Sequence, residues 1–180
     1  MNVYIASSWR NRLYETLREQ IKQLGHEVLD WQRGEQPLPS WTAASEEFAD
    51  AVKHVYWPAK LAKKALEHPR AKEAHKLSAD LLQKADALLL LTPCGRSAHY
   101  EAGIAEARGL PRAIYLSDGV EPEVMACEMP ILLHPSELQE WLSSVSERRE
   151  HELQRTKDAE HARRAELTSK GAMLDAIRNQ

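Results

Sequence analysis

Leu88-Leu89-Leu90-Leu91-Thr92-Pro93-Cys94-Gly95-Arg96-Ser97-Ala98-His99-Tyr100-Glu101-Ala102-Gly103 is the stretch on which the fold turns. With Asp86 and Ala87 before it, the leucine run predicts a strand over 86–91. A continuous apolar run without alternation marks a strand covered on both faces, as in a parallel sheet. The residues from Pro93 to Ser97 are mostly small or turn-forming, so a tight loop follows. A helix is then expected over 98–108, stopped by Gly109 and Leu110-Pro111. Ala113-Ile114-Tyr115-Leu116 predicts the next strand. The loop at the C-terminal end of a parallel strand is where open α/β sheets bind ligands. Glu101 is expected there, in the first turn of the helix, where unpaired N–H groups and the helix dipole would keep it ionised.

The same alternation extends outward. Val3-Tyr4-Ile5-Ala6-Ser7 is short, apolar and β-prone, a first strand. Leu13, Leu17, Ile21 and Leu24 recur at helical spacing before Gly25, and His26–Trp31 predicts a second strand. Residues 32–42 form a loop rich in Gly, Pro and Ser, either a pocket cover or a surface connection. Further helices are expected from Ser45 and Glu46 through Val52, from Pro58, and from Pro69 to about Ala85, with Asp80 near the end of the last. Met129–Leu133 is a short fifth strand. The pattern predicts an α/β fold: a doubly wound, five-stranded parallel sheet, flavodoxin- or Rossmann-like, over residues 1–145. A charged helical tail follows over 146–180, after a helix start capped by Ser136 with Glu137 and Gln139. In the tail, opposite charges fall three or four apart, as on an exposed helix. Ala172, Met173, Leu174 and Ile177 make a small apolar patch suited to a partner.

Composition bounds the function classes. A net charge of −3 gives no pull toward nucleic-acid polymers or anionic membranes. No apolar run approaches the roughly 18 residues of a membrane span. The N-terminus enters a strand pattern without a signal-peptide layout, and Cys94 and Cys127 suggest neither a disulfide framework nor a zinc site. A cytoplasmic setting is therefore expected, without metal or other cofactor. His54, His68 and His75 lack a metal-ligand spacing, and no GxGxxG or GxxxxGK[ST] is present.

Three segments carry candidate chemistry. In a doubly wound sheet the loops after strands one and three meet at the topological switch point. Ser7, Ser8, Arg10 and Asn11 would then face Glu101 across one crevice. Asp80 is a second carboxylate, and glycosidic chemistry commonly uses two. On these residues alone each position keeps a plainer reading: Glu101 complementing the helix dipole, Asp80 a solvated side chain, the serines a helix cap. Cys94 and His99 suggest a nucleophile–base pair, without a third residue to orient it. Trp31, Trp41 and Trp57 are core residues, or one stacks on a nucleobase.

Taken together, Tyr4-Ile5-Ala6-Ser7-Ser8-Trp9, the aspartate in the helix before strand three, and Ser97-Ala98-His99-Tyr100-Glu101-Ala102-Gly103-Ile104-Ala105 resemble the nucleoside 2-deoxyribosyltransferase superfamily. That superfamily includes base-exchange enzymes and deoxynucleoside-monophosphate N-glycosidases, and the resemblance spans roughly residues 1–135. It implies Glu101 as the nucleophile at the anomeric carbon, Asp80 as the group assisting departure of the base, and Tyr4 as the residue positioning the carboxylate. It implies a substrate site from Ser7, Ser8, Trp9 and Arg10, with Gly95 and Ser97 around the 5′ end of the sugar and His99 narrowing the pocket or supplying a hydrogen bond. The implied partner is a small-molecule nucleoside or nucleotide, and the implied assembly a homodimer or higher homo-oligomer. A neighbouring subunit would lend a side chain near Pro122-Glu123-Val124-Met125. Two positions depart from the pattern. His99 replaces a glycine, and Glu123 stands where Asn or Ser is usual. An acid there would repel a phosphate that Arg10, Arg12 and Arg96 would attract. The expected function is cleavage of an N-glycosidic bond with transfer to water or another base. The alternatives are a catalytically silent nucleotide-binding module, and a role for the tail in assembly.

Overall fold

The chain enters its sheet at Asn2–Ala6 (β1) and turns into helix α1, Tyr14–Gln23. The computed structural model describes residues 1–8, 10–31, 44–121 and 123–178, with side chains as far as Arg164 apart from Met125. Trp9, the loop expected over 32–42 with Trp41, and Pro122 lie outside the described residues. Helix α1 buries Tyr14, Leu17 and Ile21, one face at helical spacing. It ends in a Schellman motif: Gly25 takes φ +85°, its N–H reaches the Lys22 carbonyl, and the His26 N–H reaches Ile21.

Strand β2 is Glu27–Leu29, shorter than the expected 26–31. The chain leaves the sheet early, and the Trp31 indole N–H instead donates to the Ile5 carbonyl at 2.8 Å. Helix α2, Glu46–His54, starts at Ser45, whose hydroxyl accepts the Phe48 N–H at 3.2 Å. Helices α3, Ala59–Glu67, and α4, Pro69–Lys84, each begin at or just after a proline.

Strand β3, Ala87–Leu91, is buried along its whole length, as the leucine run requires. Each buried leucine contributes about 1.5–3 kcal/mol relative to an exposed one. Helix α5 is Arg96–Ala107, strand β4 Arg112–Tyr115 and strand β5 Ile131–Leu132, with a 3-10 turn at Val124–Glu128 between the last two. Helix α6 runs from Pro135 to Arg178. Its start is capped by Glu137 and not by Ser136: the Glu137 carboxylate accepts the N–H groups of Leu133 and His134. Those two bonds hold its carboxyl below the usual range.

The sheet has strand order β2-β1-β3-β4-β5, and every pairing is parallel. Tyr4 lies opposite Leu29 on one side and Leu88 on the other. The chain moves one way from β1 to β2 and the other way from β2 to β3. Right-handed crossovers therefore set α4 and α5 on one face and α1 on the other. The switch point falls between β1 and β3. The described chain divides into two compact units, Met1–Gln139 and Glu140–Gln180. The second is the continuation of α6, whose side chains from Glu150 to Arg164 are all exposed. Within it Gln154 donates to Asp158 at 2.8 Å and the Thr156 hydroxyl to the Glu152 carbonyl at 2.9 Å.

Candidate active site

Two loops meet at the switch point and are tied to each other. The Ser7 hydroxyl donates to the Leu91 carbonyl at 2.9 Å, across from β1 to β3. The Asn11 amide donates to the carbonyls of Leu91 and Pro93, and its oxygen accepts the Leu13 N–H. Asn11 is buried, so this one side chain sets the spacing of both loops. Buried Thr92 does the same between β3 and β4: its hydroxyl donates to Tyr115 and accepts from the Ser117 N–H. Neither role has a sequence signature beyond a polar residue beside a strand end.

Above this frame Tyr4 meets Glu101. The phenol of β1 donates to Oε1 of the α5 carboxylate at 3.0 Å, joining residues 97 apart in sequence. Tyr4 is fully buried and Glu101 half-buried. Ser78 of α4 is half-buried. The Tyr4–Glu101 pair joins β1 to α5.

Its electrostatics differ from the expectation. Helix α5 begins at Arg96, two residues earlier than expected, so Glu101 is its sixth residue and sits in the second turn. The first turn contains no acid, and the dipole field fades within that turn. Burial is the stronger influence: it pushes the Glu101 carboxyl up, against the lowering effect of the Tyr4 hydrogen bond. The same burial, with the neighbouring carboxylate, drives the Tyr4 phenol far above its ordinary range. Tyr4 therefore stays protonated and is a permanent donor.

Asp80 does not join this pair. Its side chain is exposed. Positions two apart on an α-helix point about 200° apart, so the side of α4 that carries half-buried Ser78 and buried Leu82 turns Asp80 to the opposite side.

The other expected residues surround the mouth. The Ser8 hydroxyl accepts the Arg10 N–H at 3.3 Å in a local turn, with Arg10 exposed. Gly95 is the N-cap of α5, and Ser97 lies exposed in its first turn. A Cβ on Gly95 would meet nothing within 4 Å, so close packing does not demand the glycine. The His99 ring folds back on its own helix: Nδ1 lies 3.1 Å from the Gly95 carbonyl, to which it donates. The Cys94 sulfur lies 3.7 and 3.9 Å from the two ring nitrogens. Burial, then the carboxylates of Glu123 and Glu101, push the Cys94 thiol up to about 11. At neutral pH it is a thiol, which removes the basis for a Cys94–His99 nucleophile pair. Among the described residues no group of His, Cys, Asp and Glu is arranged to hold a metal ion. No helix among them is long and apolar enough to cross a membrane.

No family model matches the chain, and no curated protein sequence does. Among solved structures it is similar to a 2-deoxyribosyltransferase from the psychrotolerant bacterium Bacillus psychrosaccharolyticus. The likeness has a TM-score of 0.48 and 17% identity, and covers 77% of this chain and 90% of that one.

Proposed function

We propose that this protein cleaves the N-glycosidic bond of a small-molecule nucleoside or nucleotide, with Glu101 as the nucleophile. The observation that carries this reading is the hydrogen bond from Tyr4 to Glu101 at the mouth of the β1/β3 switch point. A carboxylate there is fixed in orientation, half-shielded from water and next to two loops able to hold a sugar. In the proposed step a Glu101 oxygen forms a bond to C1′, and the C1′–N bond breaks with its electron pair passing to the base. Water or a second base then attacks C1′ and gives its proton to the base anion just released, while the C1′–O bond to Glu101 breaks and returns the carboxylate, giving hydrolysis or transfer. Tyr4 holds the carboxylate throughout and gives up no proton. Arg10 and Ser97 lie exposed beside the mouth, suited to the 5′ end of the substrate. Ser7 serves the loop frame, and Asp80 takes no part. The same reading places the enzyme in the cytoplasm as a homo-oligomer.

The test is release of free base from a panel of nucleosides and 5′-monophosphates. Wild type should release base from at least one, and Glu101→Ala from none. Equal turnover in the two proteins would overturn the assignment.

A further inference from the structure

We propose that the turn after α2, together with helix α3, is a docking surface for an anionic lipid membrane. The inference does not depend on the reading of Glu101. Helices α1, α2 and α5 end with the same pair of backbone bonds: Gly25 to Lys22 and His26 to Ile21, Val55 to Val52 and Tyr56 to Ala51, Gly109 to Glu106 and Leu110 to Ala105. At the left-handed position two of the three have glycine, with φ +85° and +65°, whereas α2 has Val55, with φ +52°. A β-branched residue is strained there and glycine is not. Packing within the chain does not offset the strain, because Val55 is 89% exposed. Tyr56 beside it is 69% exposed, and Leu66 of α3 is 70% exposed. These side chains surround one small core. The Phe48 ring lies 6.0 Å from that of Trp57 and 5.7 Å from that of His68, which brings the 55–57 turn to the α3/α4 junction. An exposed apolar patch held at a strained position marks a surface that meets a partner.

Charge identifies the partner. Over residues 53–72, Lys53, Lys60, Lys63, Lys64, Arg70 and Lys72 stand against Glu67 alone. This stretch therefore carries +5 in a chain of net −3, so the net charge hides a strongly uneven distribution. All six cations are exposed. The acids that face the group are Glu67, 3.7 Å from Lys63, Glu47, paired with Lys64, and Asp50, 3.3 Å from His54. Exposed pairs of this kind are weak and open readily to another anion. Cations around projecting apolar side chains match a bilayer with acidic headgroups. The lysines meet the headgroup charges, and Val55, Tyr56 and Leu66 enter the boundary between headgroups and acyl chains. A nucleic acid would engage the lysines and stack on Tyr56, but it would leave Val55 and Leu66 in water.

The experiment is sedimentation of the full chain with vesicles of phosphatidylcholine alone, and of phosphatidylcholine and phosphatidylserine in equal parts. Wild type should pellet with the second and not with the first, and should be released as salt rises. Lys60→Gln and Lys63→Gln should each weaken binding about fivefold. Val55→Asn removes the apolar tip with a residue that tolerates the left-handed conformation. It should weaken binding about tenfold and melt no lower than wild type. No turnover is needed, so the outcome is separate from that of the base-release assay. Failure of wild type to bind the anionic vesicles would overturn the inference. So would wild-type binding by Val55→Asn, which would mark a general polyanion surface, or a lower melting temperature, which would give the side chain a role in the fold. A wild-type dimer that Val55→Asn returns to monomer would place a second copy on this surface and would equally overturn it.

Discussion

Tyr4→Phe is the perturbation with the sharpest expected signature. Phenylalanine fills the same buried space, so the core around β1 should stay packed. What is lost is one hydrogen bond, 3.0 Å long, donated to a carboxylate oxygen. Such a bond to a charged partner is worth about 1.5–3 kcal/mol, or about 10- to 100-fold in an equilibrium. The loss falls on the ionised form of Glu101, because the phenol stabilises the carboxylate and does little for the neutral acid. Below the titration of Glu101, the reactive fraction should therefore drop by about 10- to 100-fold. Well above it, where the carboxylate is ionised in both proteins, only the orientation is lost and the deficit should shrink. The assay is kcat/KM for base release across pH, with Tyr4→Phe beside wild type. The acid limb of the variant should lie at higher pH, with the two curves converging on the alkaline side. A loss of the same factor at every pH would refute the argument, since it would mean that Tyr4 does not act through ionisation of Glu101.

Three further outcomes follow from the same structure. Burial raises the Glu101 carboxyl, so the folded state binds its proton more tightly than the unfolded chain does; this group's contribution to stability falls as pH rises from the ordinary carboxylate range through the raised value. Glu101→Gln should therefore melt higher than wild type at neutral pH, with the gap closing in acid, and a lower melting temperature would contradict the sign. Leu89→Ala empties a fully buried site in the central strand and should cost about 2–5 kcal/mol in a urea titration, whereas a cost under 1 kcal/mol would mean that β3 is not the core. Cys94→Ala should retain base release, because the thiol is held protonated at neutral pH; its loss would restore a role for the cysteine.

The fold was legible because its signals are local. The unbroken apolar run before Thr92 is short and followed at once by Pro93 and Gly95, which marks it as a strand covered on both faces and not a buried helix. The glycines at 25 and 109 end helices in conformations with φ of +85° and +65°, which other residues resist. The Tyr4–Glu101 pairing was legible for a topological reason, since strands one and three adjoin in any sheet of this winding. The exposure of Asp80 was not legible, because it depends on the rotational setting of α4. The start of α5 was misplaced by two residues because Arg96 and Ser97 carry no helix pattern of their own. That small error moved Glu101 from the dipole-dominated first turn to the second, where burial decides its ionisation. Asn11 and Thr92 were missed because a polar side chain bonded to a distant carbonyl leaves no periodic trace.

The central claim is that Glu101 itself becomes bonded to the sugar. The direct measurement is peptide mass analysis of enzyme quenched during turnover with a nucleoside fluorinated at C2′, a substitution that slows breakdown of a glycosyl-enzyme. Cleavage after arginine isolates Ser97–Arg108, which holds Glu101 and Glu106, and fragmentation tells the two apart. The account predicts a mass increase equal to the fluorinated sugar, on Glu101 alone, and absent from Glu101→Gln. Base release with Glu101 unmodified, or the sugar attached to another residue, would contradict it.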